Sequence, residues 1–270
     1  VIGLTTKKGE GRVSEGRKKK IEYIEVKKWT KGNPKARQKG KIVLDCVYPD
    51  WKKVNKKRTS RDEIQGLPLM KFLIEDIGGD TEIFAFPGGF ISHIAPGDRT
   101  EERVGKLSKE VPMLVCGLDR HGTDIATPYV FIEGKQRMRI RQCSVSHTDK
   151  TKPEYLKDER TLEHDGLLFA ILSCGEMFSK DLREIVKSKS PDVVIDLAHF
   201  SCSRLHNWIR RIGEIAQDGC GFLTQHLSNP FTDTKYHTGN ARHIGTINYI
   251  LSQDGGTFSV QKASVRRFLI

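Results

Sequence analysis

The feature that most constrains this chain is a stop and a turn in its second half. The apolar run Leu167-Leu168-Phe169-Ala170-Ile171-Leu172-Ser173 ends at Cys174 and is followed at once by Gly175-Glu176. A short apolar run bounded by turn signals reads as a strand buried on both faces. A Cys at its end, beside a Gly that lets the backbone bend sharply, is how α/β hydrolytic folds hold out a nucleophile. A Cys in that place also reads as a small buried hydrophobe, and the flanking pattern favours the nucleophile. Lys180 to Val186 has helical spacing, and Pro191 to Leu197 reads as a second buried strand.

The same alternation runs through the chain and predicts an α/β architecture. A first strand covers Lys41 to Val47. A helix opens at Pro68, turns Leu69, Phe72, Leu73 and Ile77 inward, and closes at Gly78-Gly79. The strand Ile83 to Phe86 leads into Pro87-Gly88-Gly89. Thr100 caps a helix through Val104 and Leu107, and Pro112 to Gly117 is the next strand. Tyr129 to Gly134 and Arg137 to Val145 pair as a hairpin across Gly134. Ser203 caps a helix carrying Leu205, Trp208, Ile209, Ile212 and Ile215, and the strand Gly221 to His226 follows. Gly245 to Ile250 and Asp254-Gly255-Gly256 supply a late hairpin. No internal repeat is visible.

This ordered set resembles the nitrilase superfamily, the carbon–nitrogen hydrolases, over roughly residues 41–260 and best from 165 to 225. Cys174-Gly175-Glu176, Arg183 and Asp192-Val193-Val194-Ile195 match the family's nucleophile strand, helix and following strand in order and spacing. The resemblance implies a four-layer αββα sandwich, a homodimer or larger oligomer, no cofactor and no metal, and a small amide or nitrile as substrate. It also implies a Glu–Lys–Cys catalytic set, and here the chain departs from the pattern. The family Glu stands in Phe-Pro-Glu, whereas this chain has Phe86-Pro87-Gly88, so Gly88 occupies the Glu position. In Arg139-Ile140-Arg141-Gln142-Cys143, Gln142 occupies the Lys position; Lys135, the nearest upstream Lys, sits beside Gly134 in the preceding turn.

The Glu would take the thiol proton and return it to the leaving amine, and the Lys would face the developing oxyanion. Gly88 can do neither, and Gln142 offers one neutral donor. Ordinary amidase turnover therefore needs a relocated base. Glu154, in Lys152-Pro153-Glu154, falls where the family often keeps a supporting Glu. Glu176 follows the Cys, and His93 lies just past the Gly88-Gly89 turn, where Asp98 or Glu101 could orient it. Each of these also reads as a solvated or structural side chain. Pro87-Gly88-Gly89-Phe90 is also similar to the oxyanion strand of class I glutamine amidotransferases. That family's Gly-x-Cys-x-Gly elbow is lacking, however, since Leu172 and Glu176 take the two Gly positions.

Six Cys are too widely spaced for zinc ribbons, and no Cys-x-x-Cys occurs, which points to a reducing, cytoplasmic setting. His199, Cys202 and His206 have helical spacing that could face a metal but lack an obvious fourth ligand. No apolar run approaches the roughly eighteen residues of a membrane span, and no secretory signal pattern stands at the start, where a missing upstream segment stays open. Charge is uneven. Of the chain's formal net +12, residues 1–40 hold thirteen Lys or Arg against four Glu. That stretch reads as a basic extension ahead of a 41–270 domain, with one alternating strand at Ile21 to Val26. Such an arm suits nonspecific contact with nucleic acid, or is a solvated tail. Three functions stay open: a divergent carbon–nitrogen hydrolase using Cys174, an inactive relative that binds a ligand or partner, and a nucleic-acid-associated protein working through the basic end.

Overall fold

The computed structural model describes residues 23–32, 41–50, 63–94, 99–120, 127–143, 152–199, 205–227, 230, 235–253 and 261–270. The strands are β1 (Tyr23–Gly32), β2 (Val43–Asp50), β3 (Ile83–Ala85), β4 (Ile91–Ile94), β5 (Met113–Arg120), β6 (Pro128–Ile132), β7 (Lys135–Arg139), β8 (Thr161–His164), β9 (Leu167–Ser173), β10 (Val193–Leu197), β11 (Cys220–Thr224), β12 (His237–Thr238), β13 (Arg242–Gln253) and β14 (Gln261–Leu269). The helices are α1 (Glu63–Ile77), α2 (Thr100–Leu107), α3 (Lys180–Lys187) and α4 (Leu205–Ala216).

The strands form two sheets. The larger runs β1-β13-β14-β2-β3-β5-β6-β7, with β4 also paired to β5; the smaller runs β12-β11-β10-β9-β8. Each has a parallel centre, β2-β3-β5 in one and β9-β10-β11 in the other. Parallel centres are covered on both faces, and the side chains divide accordingly. From β2, Leu44, Cys46 and Tyr48 enter the core shared by the two sheets, while Val47 faces the other way, among the residues of α1 and α2. Leu182 and Val186 of α3 and Trp208, Ile212 and Ile215 of α4 cover the smaller sheet. The layers are therefore α1/α2, large sheet, small sheet, α3/α4, which is the αββα sandwich expected from the sequence. Trp208 and Ile209 pack against this core.

Two sequence expectations need correction. Helix α1 begins at Glu63, with Pro68 inside it rather than at its opening. The boundary at residue 40 cuts through the large sheet, because β1 pairs with β13 along its length from Tyr23 to Gly32. The strand expected at 21–26 is thus longer and belongs to the body; residues 1–22 and 33–40 lie outside the described residues. A further central strand, β14, lies between β13 and β2 in a segment that the apolar pattern does not mark, Lys262-Ala263-Ser264-Val265-Arg266-Arg267. Its arginines are buried by partners rather than by water. Arg267 gives Asp45 two hydrogen bonds, Nε to Oδ1 at 2.9 Å and Nη2 to Oδ2 at 2.6 Å, and Thr81 donates to the same carboxylate at 2.6 Å. Arg266 lies over the adjoining rings of Tyr48 and Tyr236. Among the described residues, no helix is long and apolar enough to cross a membrane.

Candidate active site

Cys174 leaves the carboxyl end of β9 and opens a one-turn 3-10 helix, Cys174–Phe178. The sharp bend falls on the cysteine itself, with φ +47, and not on Gly175. A left-handed non-Gly residue costs of order 1 kcal/mol and persists only where its surroundings hold it. Glu176 does the holding. Its fully buried carboxylate accepts the Ser173 N–H at 3.0 Å, the Cys143 N–H at 2.8 Å and Arg160 Nη2 at 2.8 Å. Arg160 in turn donates to the carbonyls of Tyr155, Asp158 and Arg141. One carboxylate therefore ties the cysteine turn to the segment bearing Gln142. The Gln142 side chain is buried there and gives Nε2–H to the carbonyl of Ser173 at 3.4 Å.

The decisive side chain is one that sequence reasoning placed elsewhere. His199 follows the carboxyl end of β10, and its Nε2 lies 2.5 Å from Oδ2 of Asp119, near the end of β5. The imidazole also hydrogen-bonds Cys174. Since Nε2 is engaged by Asp119, Nδ1 is the nitrogen left to serve the thiol. Cys174, His199 and Asp119 thus form a connected set at the carboxyl ends of parallel strands from both sheets, where α/β folds build their sites. Burial pushes the imidazole down, but the hydrogen bonds and charges of Asp119 and Cys174 outweigh it and hold His199 up at about 9. Burial and then the charge of Cys174 push Asp196, on β10, well above the ordinary carboxylate range, while the Trp208 indole N–H donates to it.

Two glycines make room for this pair. A Cβ on Gly88 would stand 2.6 Å from the Leu197 carbonyl oxygen and 3.0 Å from His199 Nδ1. One on Gly89, at φ +58, would stand 2.7 Å from both Asp119 Oδ2 and His199 Cδ2. The His226 ring fixes the turn from behind, its Nε2 lying 2.8 Å from the Gly88 carbonyl oxygen. The space into which a Glu at position 88 would project is therefore bounded by His199.

The remaining candidates lie apart from this set. Glu154 is exposed on the 3-10 turn Pro153–Tyr155, where its charge acts on Arg141. His93 has its backbone in β4, and its side chain lies outside the described residues, as does Asp98; Glu101 accepts the Tyr129 hydroxyl at 2.7 Å. Cys202 also lies outside the described residues, and among those described no group of three or more His, Cys, Asp or Glu is arranged to hold a metal. The sequence signal that was available for His199 was its place two residues past a buried strand, but the helical spacing to Cys202 and His206 drew it into a metal reading. Asp119 carried no local signal, because it lies 80 residues from its partner.

No protein-family model and no curated protein matches the sequence. Solved structures do. A CN-hydrolase superfamily protein of Xanthomonas campestris, with an arsenic adduct in its active site, matches at TM-score 0.56 and 10% identity over 85% of this chain and 90% of that one. The chain has the nitrilase-superfamily fold. A branch 10 nitrilase-superfamily member of Saccharomyces cerevisiae matches at TM-score 0.51 and 16% identity, over 83% of this chain and 89% of its own. An amidase of Nesterenkonia sp. AN1, with an acetamide moiety added covalently at its active-site cysteine, gives TM-score 0.52 and 10% identity over 84% and 91%. On this nitrilase fold Cys174 bonds the His199 ring, Asp119 stands behind that ring, and the buried Gln142 amide bonds the carbonyl of the preceding Ser173.

Proposed function

We propose that the chain is a divergent carbon–nitrogen hydrolase that has moved its general base from position 88 to His199. Cys174 is the nucleophile, His199 the acid and base, and Asp119 the group that orients the ring, acting on a small amide or nitrile. The observation that carries this reading is the His199 ring, which bonds both Cys174 and Asp119 in the space where a side chain at position 88 would have projected.

The chemistry closes with these residues. Cys174 and His199 make a nucleophile–base pair, the imidazole holding the proton that the sulfur gives up as it attacks. For an amide, the Cys174 sulfur attacks the carbonyl carbon, and the electron pair moves onto oxygen, toward which Gln142 offers a neutral N–H. The intermediate collapses with cleavage of the C–N bond, and His199 gives its proton to the departing amine. Water then attacks the thioester as His199 takes its proton. Cleavage of the C–S bond releases the carboxylic acid and restores the Cys174–His199 pair. Asp119 keeps one ring nitrogen fixed so that the other faces the sulfur.

The test is brief iodoacetamide labelling with peptide mapping, followed by intact-mass detection of an acyl adduct on a panel of small amides and esters. Burial holds the other described thiols up, Cys143 and Cys220 at about 12 and Cys46 and Cys116 also raised, so Cys174 is expected to label first. His199→Ala should slow labelling at pH 7 at least tenfold, and Cys174→Ala should abolish the adduct. Labelling of Cys174 no faster than the buried cysteines would overturn the proposal.

A further inference from the structure

A cleft of 470 Å³ opens elsewhere, at the edge where the large sheet runs on past β12. None of the residues of the Cys174 site lines it. Lys31 at the end of β1, Lys235, His237 on β12, His243 on β13 and Arg266 on β14 surround it, and none of the described lining residues is acidic. Phe268 forms its apolar floor, with the rings of His237 and His243 at 4.9 and 5.3 Å from it. Lysine on an edge strand is a common guard against sheet-to-sheet pairing. That accounts for Lys31 alone, because His243 and Arg266 stand on strands inside the sheet and His237 belongs to the other sheet.

We infer that this cleft binds a small phosphate monoester, its phosphate held by the five basic side chains and its organic part filling the remaining volume. The recognition combines the charge of the basic side chains with the apolar face of Phe268. The Arg266 guanidinium lies over the adjoining rings of Tyr48 and Tyr236, which orders a group suited to phosphate oxygens. The volume lies in the range of small-molecule sites and exceeds what an inorganic anion fills. The cleft also holds a reporter. Burial first, then the charges of Lys235, His243 and Arg266, press His237 down to about 4. A bound phosphate, anionic throughout that range, opposes those charges and must move its titration upward.

The experiment is an NMR titration of the His237 ring against pH in the full chain, alone and with adenosine monophosphate, adenosine or inorganic phosphate at matched ionic strength. With saturating adenosine monophosphate the midpoint of His237 should rise by at least one pH unit, while His164, remote from the cleft, stays put. Inorganic phosphate should bind at least tenfold more weakly and adenosine not at all. Lys235→Glu, at an exposed position, should weaken adenosine monophosphate at least tenfold without altering the melting temperature, and His243→Gln should weaken it further. An unmoved His237 midpoint, equal affinity for inorganic phosphate or adenosine, or wild-type affinity in Lys235→Glu would each overturn the inference. Labelling of Cys174 is unaffected by any of these outcomes, so the two proposals fail separately.

Discussion

Asp45 and Asp119 each hold a basic side chain at hydrogen-bond distance, and they do different work. Asp45 lies in the middle of the large sheet with no exposure, takes two bonds from Arg267 and one from Thr81, and lets Arg267 reach on to the Ile77 carbonyl. Asp119 lies at a strand end and bonds only one nitrogen of His199, which leaves the other for Cys174. An arginine does not release its proton in a protein, so the first pair can only hold. A histidine can, so the second pair can hold and also trade. What separates a structural ion pair from a chemical one here is the choice of cation and the valence left over.

The largest expected effect separates the two on that ground. Asp119→Asn should lower turnover about 10⁴-fold, because the amide favours the wrong ring tautomer, while costing less stability than loss of Arg267, since the amide oxygen can still accept from the ring. Arg267→Met should do the reverse. It leaves a buried carboxylate without its partner, a change that costs about 3–5 kcal/mol, read from urea unfolding, while the folded fraction keeps its activity. If Asp119→Asn unfolds the protein and turns over normally, the contrast is wrong.

A smaller effect concerns the route not taken by this chain. Gly88→Glu restores the family residue at its sequence position, and the resemblance alone predicts a gain in activity. The backbone predicts a loss, since the new Cβ meets the Leu197 carbonyl oxygen at 2.6 Å and overpacking of this kind costs about 1–3 kcal/mol. Turnover and Cys174 labelling in Gly88→Glu should both fall below wild type, and adding Gln142→Lys should not rescue them. A gain would place the base back at position 88 and remove His199 from the proposal.

Much of this was legible in the sequence, and what escaped did so for physical reasons. The β9-Cys174-α3-β10 unit is local, and buried parallel strands announce themselves as unbroken apolar runs. The same logic explains the miss at β14, whose Arg266 and Arg267 are buried by ring stacking and by Asp45, partners far away in sequence. Gly88 was read as a lost acid, and the other half of that exchange was invisible because His199 comes more than a hundred residues later. Glu176 looked like a solvated turn residue until Arg160, Cys143 and Ser173 converged on it. β1 looked like a tail because Lys27, Lys28 and Lys31 give it the composition of one, yet it is an edge strand that β13 completes. A deletion meant to test whether the basic end binds nucleic acid should therefore stop at residue 22 and spare the sheet.

The smallest expected effect is a pH dependence, and it bears on the same contrast. His199 is held at about 9 in the folded protein, above the ordinary 6.5. A group whose pKa is raised by folding adds stability that is fully present below its unfolded value, and that stability is lost as pH rises through the folded one. Wild type should therefore lose several degrees of melting temperature, relative to His199→Gln, between about pH 6.5 and 9, with the difference flat below 6.5. Arg267 titrates nowhere in this interval, so the deficit of Arg267→Met should be the same at pH 6 as at pH 9. Thermal melts of the three proteins in matched ionic strength give both curves. Parallel curves for wild type and His199→Gln across the interval would mean that the ring is not held by Asp119 and Cys174. The nucleophile–base pair on which the proposed chemistry depends would then be absent.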